Sequence, residues 1–155
     1  MKYRSNIATY ARYVFEGVDP GFAERAMTIK ELGRFNIVVA GLSYGQGSSR
    51  EHAAICPMYL GVKAIIAKSF ERIHAANLIN FGILPLVFQK EEDYDLIKQG
   101  DRIEITDIRK RIEQGDPLFI NDVTQGMSFE VLYDLTDRQR RMILAGGALN
   151  LRTDY

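Results

Sequence analysis

The chain has 155 residues, enough for one domain with a real hydrophobic core. Lysine plus arginine and aspartate plus glutamate number 20 each, so the net charge is zero and the basic excess of a nucleic-acid or membrane surface is missing. Hydrophobic residues make up 46% and charged residues 26%, the balance of an ordinary soluble globular protein, and no apolar run approaches the roughly 20 residues of a membrane span. The N-terminus carries no apolar block of the signal-peptide kind, which makes the cytoplasm the expected compartment. Cys56 is the single cysteine, so no internal disulfide forms and no iron–sulfur cluster is assembled from this chain alone.

Taken in order, residues 7–15 place Ile7, Ala8, Ala11, Val14 and Phe15 on one helical face, suited to docking on a sheet. Asp19-Pro20 reads as the cap of a second helix, with Phe22, Ala23, Ala26, Met27 and residues 29–32 inward and Gly33 closing it. Residues 36–41 read as a buried strand, 50–60 as a helix ended by Gly61, 64–67 as a second buried strand and 70–79 as a helix broken by Gly82. A third strand covers 83–88; its Pro85 lacks an N–H and belongs at a strand edge or bulge. Short buried strands alternating with helices predict parallel pairing over this βαβαβ run.

Residues 91–98 read as a short polar helix, and from Asp101 the character changes. Residues 102–106 alternate, 117–120 and 128–132 form short strands, and alternation implies a sheet solvated on one side. Residues 136–145 form a closing helix, with Thr136 and Gln139 in capping-box spacing and Gly146-Gly147 as its stop. Asp93, Asp95 and the acids of 113–116 read as solvated loop charges with no metal spacing among them. The expected fold is a single α/β domain, a mixed sheet with a parallel βαβαβ core and an antiparallel C-terminal half.

The chemistry concentrates in residues 36–52. A β-branched strand closes at Gly41, Gly45 and Gly47 allow a sharp turn, and Ser48 and Ser49 stand in N-cap positions before Arg50-Glu51-His52 opens a helix. Free amides and the positive end of the helix dipole attract an anion there, and Arg50 offers a bidentate carboxylate contact. A phosphate-binding P-loop needs Lys-Ser or Lys-Thr, and no lysine lies between Arg34 and Lys63; the dinucleotide fingerprint needs a third glycine where Arg50 stands. A plain Gly-Ser turn capping a helix, with Arg50 solvated, is the bland alternative.

The run Tyr44-Gly45-Gln46-Gly47-Ser48-Ser49-Arg50-Glu51-His52-Ala53-Ala54, with residues 63–70 and 77–86, closely resembles the aconitase family. Within it the likeness is to the C-terminal swivel domain of aconitate hydratase and the related small subunit of 3-isopropylmalate dehydratase, and it extends over residues 4–149. The resemblance implies the family's swivelling β/β/α fold. It also implies roles: Ser48 as the general base that takes the proton from a carbon next to a carboxylate, Ser49 and Arg50 as substrate-binding residues, and Arg4 as a second carboxylate grip. Gly45, Gln46, Gly47, His52, Arg72 and Asn77 then support the loop from behind. Gln46 stands where many aconitases have Glu, which removes one charge.

The resemblance further implies a [4Fe–4S] cluster held on cluster-bearing partner domains or on a large subunit, with none bound by this chain, and a tricarboxylate or dicarboxylate substrate. A Thr-Thr-Asp-His segment that precedes this region in relatives is absent, so the chain resembles a domain excised from a longer enzyme, a natural small subunit being the other reading. A small subunit of 3-isopropylmalate dehydratase or homoaconitase, or a non-catalytic RNA-binding module, are the competing functions. Zero net charge weighs against the last. His52 is expected to be structural, because it points away from Arg50 on a helix, and His74 more so; Cys56 is expected to be buried packing.

Overall fold

The structure is a computed structural model that describes Ile7, residues 11–46 and residues 52–147, with His52 described in its backbone alone. In chain order the elements are helix α1 (Phe22–Glu31), strand β1 (Asn36–Ala40), helix α2 (His52–Tyr59), strand β2 (Val62–Ala67), helix α3 (Arg72–Asn80) and strand β3 (Leu84–Phe88). A 3₁₀ helix (Glu91–Leu96), strand β4 (Ile103–Glu104), helix α4 (Ile108–Gln114), strands β5 (Leu118–Asp122) and β6 (Met127–Leu132), and helix α5 (Asp137–Ala145) follow.

Six strands make one mixed sheet in the order β1-β2-β3-β6-β5-β4. The first three pair in parallel, Val38 beside Ile65 and Ile65 beside Pro85; the rest pair antiparallel, β3 meeting β6 only at Val87 and Phe88. Parallel neighbours require crossovers, and α2 and α3 are those crossovers. The sheet therefore has the swivelling α/β layout expected from the sequence, a parallel half followed by an antiparallel half.

The side-chain period of two sorts β2 between two cores. Ile65 joins Ala54, Val62, Leu78 and Ile83 under α2 and α3, while Ala64 and Ile66 face Leu84, Leu86, Ile112, Leu118, Ile120 and Met142 on the other side, under α4 and α5. Each such fully buried aliphatic side chain contributes about 2 kcal/mol. Asn36 opens β1 from inside the protein: its Nδ2 donates to Ala26 O (3.1 Å) and Leu60 O (3.0 Å), tying helices α1 and α2 to the strand.

Several boundaries differ from the sequence reading, each for a physical reason. β1 is an edge strand and only half-buried beyond Asn36. Apolar composition on both faces marks a strand as covered above and below, and says nothing about a neighbour at its side. Both edge strands line one open groove of about 1900 Å³, so the sheet curls into a half-barrel. Pro85 lies within the sheet, in the stretch of β3 that has no partner on the β6 side, which is how a residue without an N–H is accommodated. Leu32 is exposed, because α1 ends at Glu31. Asp19 does not cap α1 with its side chain; it pairs with Arg25 instead. Of the segment 7–15, Ile7 and Ala11 are helical, but Phe15 has φ 59°, so the helix stops short of it. Helix α4 was not anticipated: residues 108–114 carry only Ile108 and Ile112 as apolar spacing, and of them only Glu113 is read from the sequence, as a solvated loop charge. The capping box of α5 is formed as expected, Gln139 N donating to Thr136 Oγ1 (3.2 Å) and Thr136 N to Gln139 Oε1 (3.0 Å).

A carboxylate pair fastens β4 to the β5–β6 turn. Asp122 is 1% exposed, and burial, then its neighbour Asp101, holds its carboxyl above the usual range; Asp101 is held below it, chiefly by the Lys98 N–H and then Gln125. A raised carboxyl favours the folded state below the ordinary carboxylate pKa of about 3.9, and that contribution is lost as pH rises through the raised value. Asp122→Asn keeps an acceptor for Gln125 N and a donor toward Asp101 without the buried charge. Thermal unfolding across pH is expected to show this variant melting a few degrees above the parent at pH 7, with the gain shrinking toward acid pH.

Candidate functional site

The three parallel strands end on the same edge of the sheet, the edge at which α/β proteins bind ligands. The chain leaving β1 there is stitched to the chain leaving β2. Lys68 N donates to Gly41 O (3.1 Å), Tyr44 N to Ser69 O (3.0 Å) and Glu71 N back to Tyr44 O (2.9 Å), while Ser43 N donates to Ser69 Oγ (2.7 Å). Tyr44 and Phe70 thereby form a parallel bridge beyond the regular ladder. The lead-in to the serine turn is thus extra sheet, ending where α3 begins.

Below this bridge lies an aromatic cage. The Tyr44 ring packs on Phe70 at 5.9 Å, His74 at 5.3 Å and Phe15 at 6.5 Å between centroids. Burial pushes the Tyr44 phenol up to about 12. His74 is 1% exposed, its Nδ1 has no hydrogen-bond partner among the described residues, and burial lowers its pKa, so the ring is neutral at physiological pH. Gly45 rests directly on that ring. It has φ 91°, and a Cβ placed on it would lie 2.3 Å from His74 Cγ, so no side chain fits between the loop and the imidazole.

The expected site residues divide accordingly. Gly45 and Gln46 are in the stitched lead-in, Gln46 exposed with its N–H on Ser43 O (3.1 Å), and His52 is in the first turn of α2. Arg4, Gly47, Ser48, Ser49 and Arg50 lie outside the described residues. Arg72 and Asn77 are both on α3, Arg72 exposed and Asn77 half-buried. Ser69, Phe70 and His74 are the residues of this region that pack against the lead-in. Sequence reasoning passed over His74 because a mid-helix histidine has no distinguishing pattern of its own. The available signal was Gly45, since a glycine in a turn marks either a positive φ or a close approach to its backbone, and here both hold. Cys56 is buried as expected, and burial raises its thiol to about 11. Among the described residues no three His, Cys, Asp or Glu side chains converge on a metal position, and no helix is long and apolar enough to cross a membrane.

Residues 4–91 match the family model described as the aconitase C-terminal domain. The chain is 44% identical over 129 residues to a probable mitochondrial aconitate hydratase of Dictyostelium discoideum, covering 81% of this chain and 17% of that protein. It is 36% identical over 146 residues to the mitochondrial aconitate hydratase of Saccharomyces cerevisiae, covering 92% and 19%. The chain therefore spans less than a fifth of the length of these relatives. Among solved structures, a 3-isopropylmalate dehydratase of Methanocaldococcus jannaschii superposes with a TM-score of 0.75 at 33% identity, over 95% of this chain and 77% of that one.

The Gly45–His74 contact makes two measurable demands. Gly45→Ala is expected to cost on the order of 2 kcal/mol in urea unfolding, from positive φ and the clash together. Combining it with His74→Gly, which removes the His74 Cβ as well as the ring atoms that lie 2.3–2.4 Å from that position, relieves the clash, so the double variant is expected to lose less than the sum of the two singles. Because folding lowers the His74 pKa, the unfolded chain binds the extra proton below its ordinary value of about 6.5. Stability is therefore full above that pH and falls as pH drops below it, a slope that a pH series of melting curves should show and that His74→Phe should flatten.

Proposed function

The chain belongs to the aconitase C-terminal domain family, and we propose that it forms one wall of a hydro-lyase active site in which Ser48 removes a carbon-bound proton during citrate–isocitrate isomerisation through cis-aconitate. The observation that carries this reading is the placement of the two flanking segments. The chain up to Gln46 is anchored at the carboxyl edge of the parallel sheet, and α2 opens at His52, a helix start whose dipole favours a negative charge.

A serine hydroxyl is too weak an acid to serve as a base unaided. Stabilisation of its alkoxide by turn amides, a neighbouring guanidinium and exclusion of water is the route open to it. In this proposal Ser48 as alkoxide takes the proton from the carbon next to a substrate carboxylate, and returns it in the reverse direction. Arg50 and Arg4 each grip a carboxylate, and Ser49 caps α2 and orients its neighbour. Glycine at 45 and 47 lets the backbone amides approach the anion closely.

The chain's own residues do not fit an iron–sulfur cluster. Its one cysteine is buried in the packing of α1 against α2 with a thiol pushed up to about 11, far from the thiolate a metal requires. A cluster-bearing partner domain or large subunit is therefore the proposed partner, and no step above is routed through the cluster.

A second reading has a specific observation behind it: the chain superposes over 95% of its length on a 3-isopropylmalate dehydratase, and covers 77% of that chain. In that reading the same serine and arginines act on a substrate with a different side arm, and the chain is a separate small subunit.

Mixing the chain with a cluster-bearing partner and assaying citrate against 3-isopropylmalate distinguishes the two. Ser48→Ala is expected to lower kcat by about 100-fold or more with little change in KM, as the loss of a general base should. Arg50→Lys is expected to raise KM instead, because a lysine cannot supply the bidentate contact. The chain without a partner is expected to show no turnover; activity of the isolated 155 residues would contradict the proposal.

A further inference from the structure

We propose that the open groove between β1 and β4 is a strand-docking site, in which an extended, uncharged segment of the cluster-bearing partner adds to the free edge of β1 and seats its apolar side chains on the groove wall. The inference rests on the reading of the partner given above.

Four observations point to it. First, β1 ends the sheet and pairs with β2 alone, so one side of its backbone has no strand beside it. Sheet edges are ordinarily protected by charge, proline or short length. β4, at the other end, is two residues long and carries the Arg102–Glu104 pair, whereas β1 beyond Asn36 is Ile-Val-Val-Ala, without charge or proline. Second, the groove wall is apolar on every side: Ile37 and Val39 come from β1, Phe22 and Ile29 from α1, and Ile103 and Ile105 from β4 and the residue just past it. Third, Val18 and Phe35, 89% and 67% exposed, also line the groove, a costly display of apolar surface unless something covers it. Fourth, its volume of about 1900 Å³ exceeds the roughly 300–1,000 Å³ of small-molecule sites.

The size thus favours a polypeptide. A second copy suits the shape poorly, because a symmetric pair presents the same concave surface twice and neither fills the other. An added strand meets both features at once, with main-chain bonds to the β1 edge and alternate side chains on the wall. Polypeptide to supply it accompanies this region in relatives. The chain spans 17% and 19% of the two aconitate hydratases, and 95% of it matches only 77% of the 3-isopropylmalate dehydratase chain.

The probe is the aconitate hydratase relative of Dictyostelium discoideum with its matched region deleted, loaded with cluster and titrated with the full 155-residue chain. In the chain alone, the β1 amides that face away from β2 are expected to exchange fast at every concentration, while those of the internal strand β2 are protected. In the complex these β1 amides are expected to slow by about 10-fold or more. Ile37→Lys, which puts an ammonium on the groove wall, is expected to weaken binding by about 100-fold. Phe35→Ser, at an exposed position outside the core, is expected to weaken it by about 10-fold. Phe119→Ser, at an exposed ring on β5 away from the groove, is expected to leave the affinity within about twofold. Melting curves check that each variant folds, and if Ile37→Lys does not, Phe35→Ser decides.

Protection of the whole of β1 in the chain alone overturns the proposal, because the groove is then filled from within the chain. Protection that grows with chain concentration overturns it in favour of a second copy. So does a complex in which β1 exchange is unchanged, or in which the groove variants bind as the parent does. A complex that protects β1 without turning over citrate refutes the reading of Ser48 and leaves the docking site standing, whereas turnover without that protection refutes the docking site alone. Absence of any complex overturns both.

Discussion

The contact between the bare backbone of Gly45 and the buried ring of His74 is the constraint around which the chain leaving β1 is built. Around it the protein stacks reinforcing restraints: the amide and carbonyl of Tyr44 bonded to Ser69 and Glu71 of the β2–α3 turn, Ser43 N on the Ser69 hydroxyl, and three aromatic neighbours of the Tyr44 ring. None of these is strong alone, since a typical net hydrogen bond contributes about 1 kcal/mol. Their value is geometric. They convert a flexible glycine turn into the continuation of a sheet, so that the chain reaches residue 47 from a fixed point.

The two halves of the sheet divide the work. The parallel half brings three strand ends to one edge and so creates the position for the turn, as right-handed crossovers require. The antiparallel half, through Leu118, Ile120, Phe129 and Val131, supplies the apolar surface that buries the other face of β2 and β3 under α4 and α5. The buried Asn36 and Asp122 secure the edges of this arrangement from inside, where unpaired polar groups would be costly, and Gln125 and Asp101 extend the second of these groups to the surface. The sheet stays open between β1 and β4, and β1 is half-buried as a consequence.

Chemically the proposed role is that of half a site. A neutral chain with one buried cysteine has no means of holding a soft metal cluster, but a serine turn before a helix can stabilise an anion without one. That division suits a domain that spans less than a fifth of its relatives' length.

The sequence alone determined the parallel pairing of the first three strands, the capping box at Thr136, the burial of Cys56 and the family, because each rests on local periodicity, cap chemistry or a contiguous motif. The contact of His74 with Gly45 was invisible there, as were α4, the edge position of β1 and the paired carboxylates at Asp101 and Asp122. In each case the deciding neighbour is distant along the chain: Gly45 lies 29 residues before His74, and a strand's place in a sheet depends on which strands fail to pair beside it. Local patterns record which side of a segment is apolar. Only tertiary structure decides what presses against it, as the His74 ring does at Gly45.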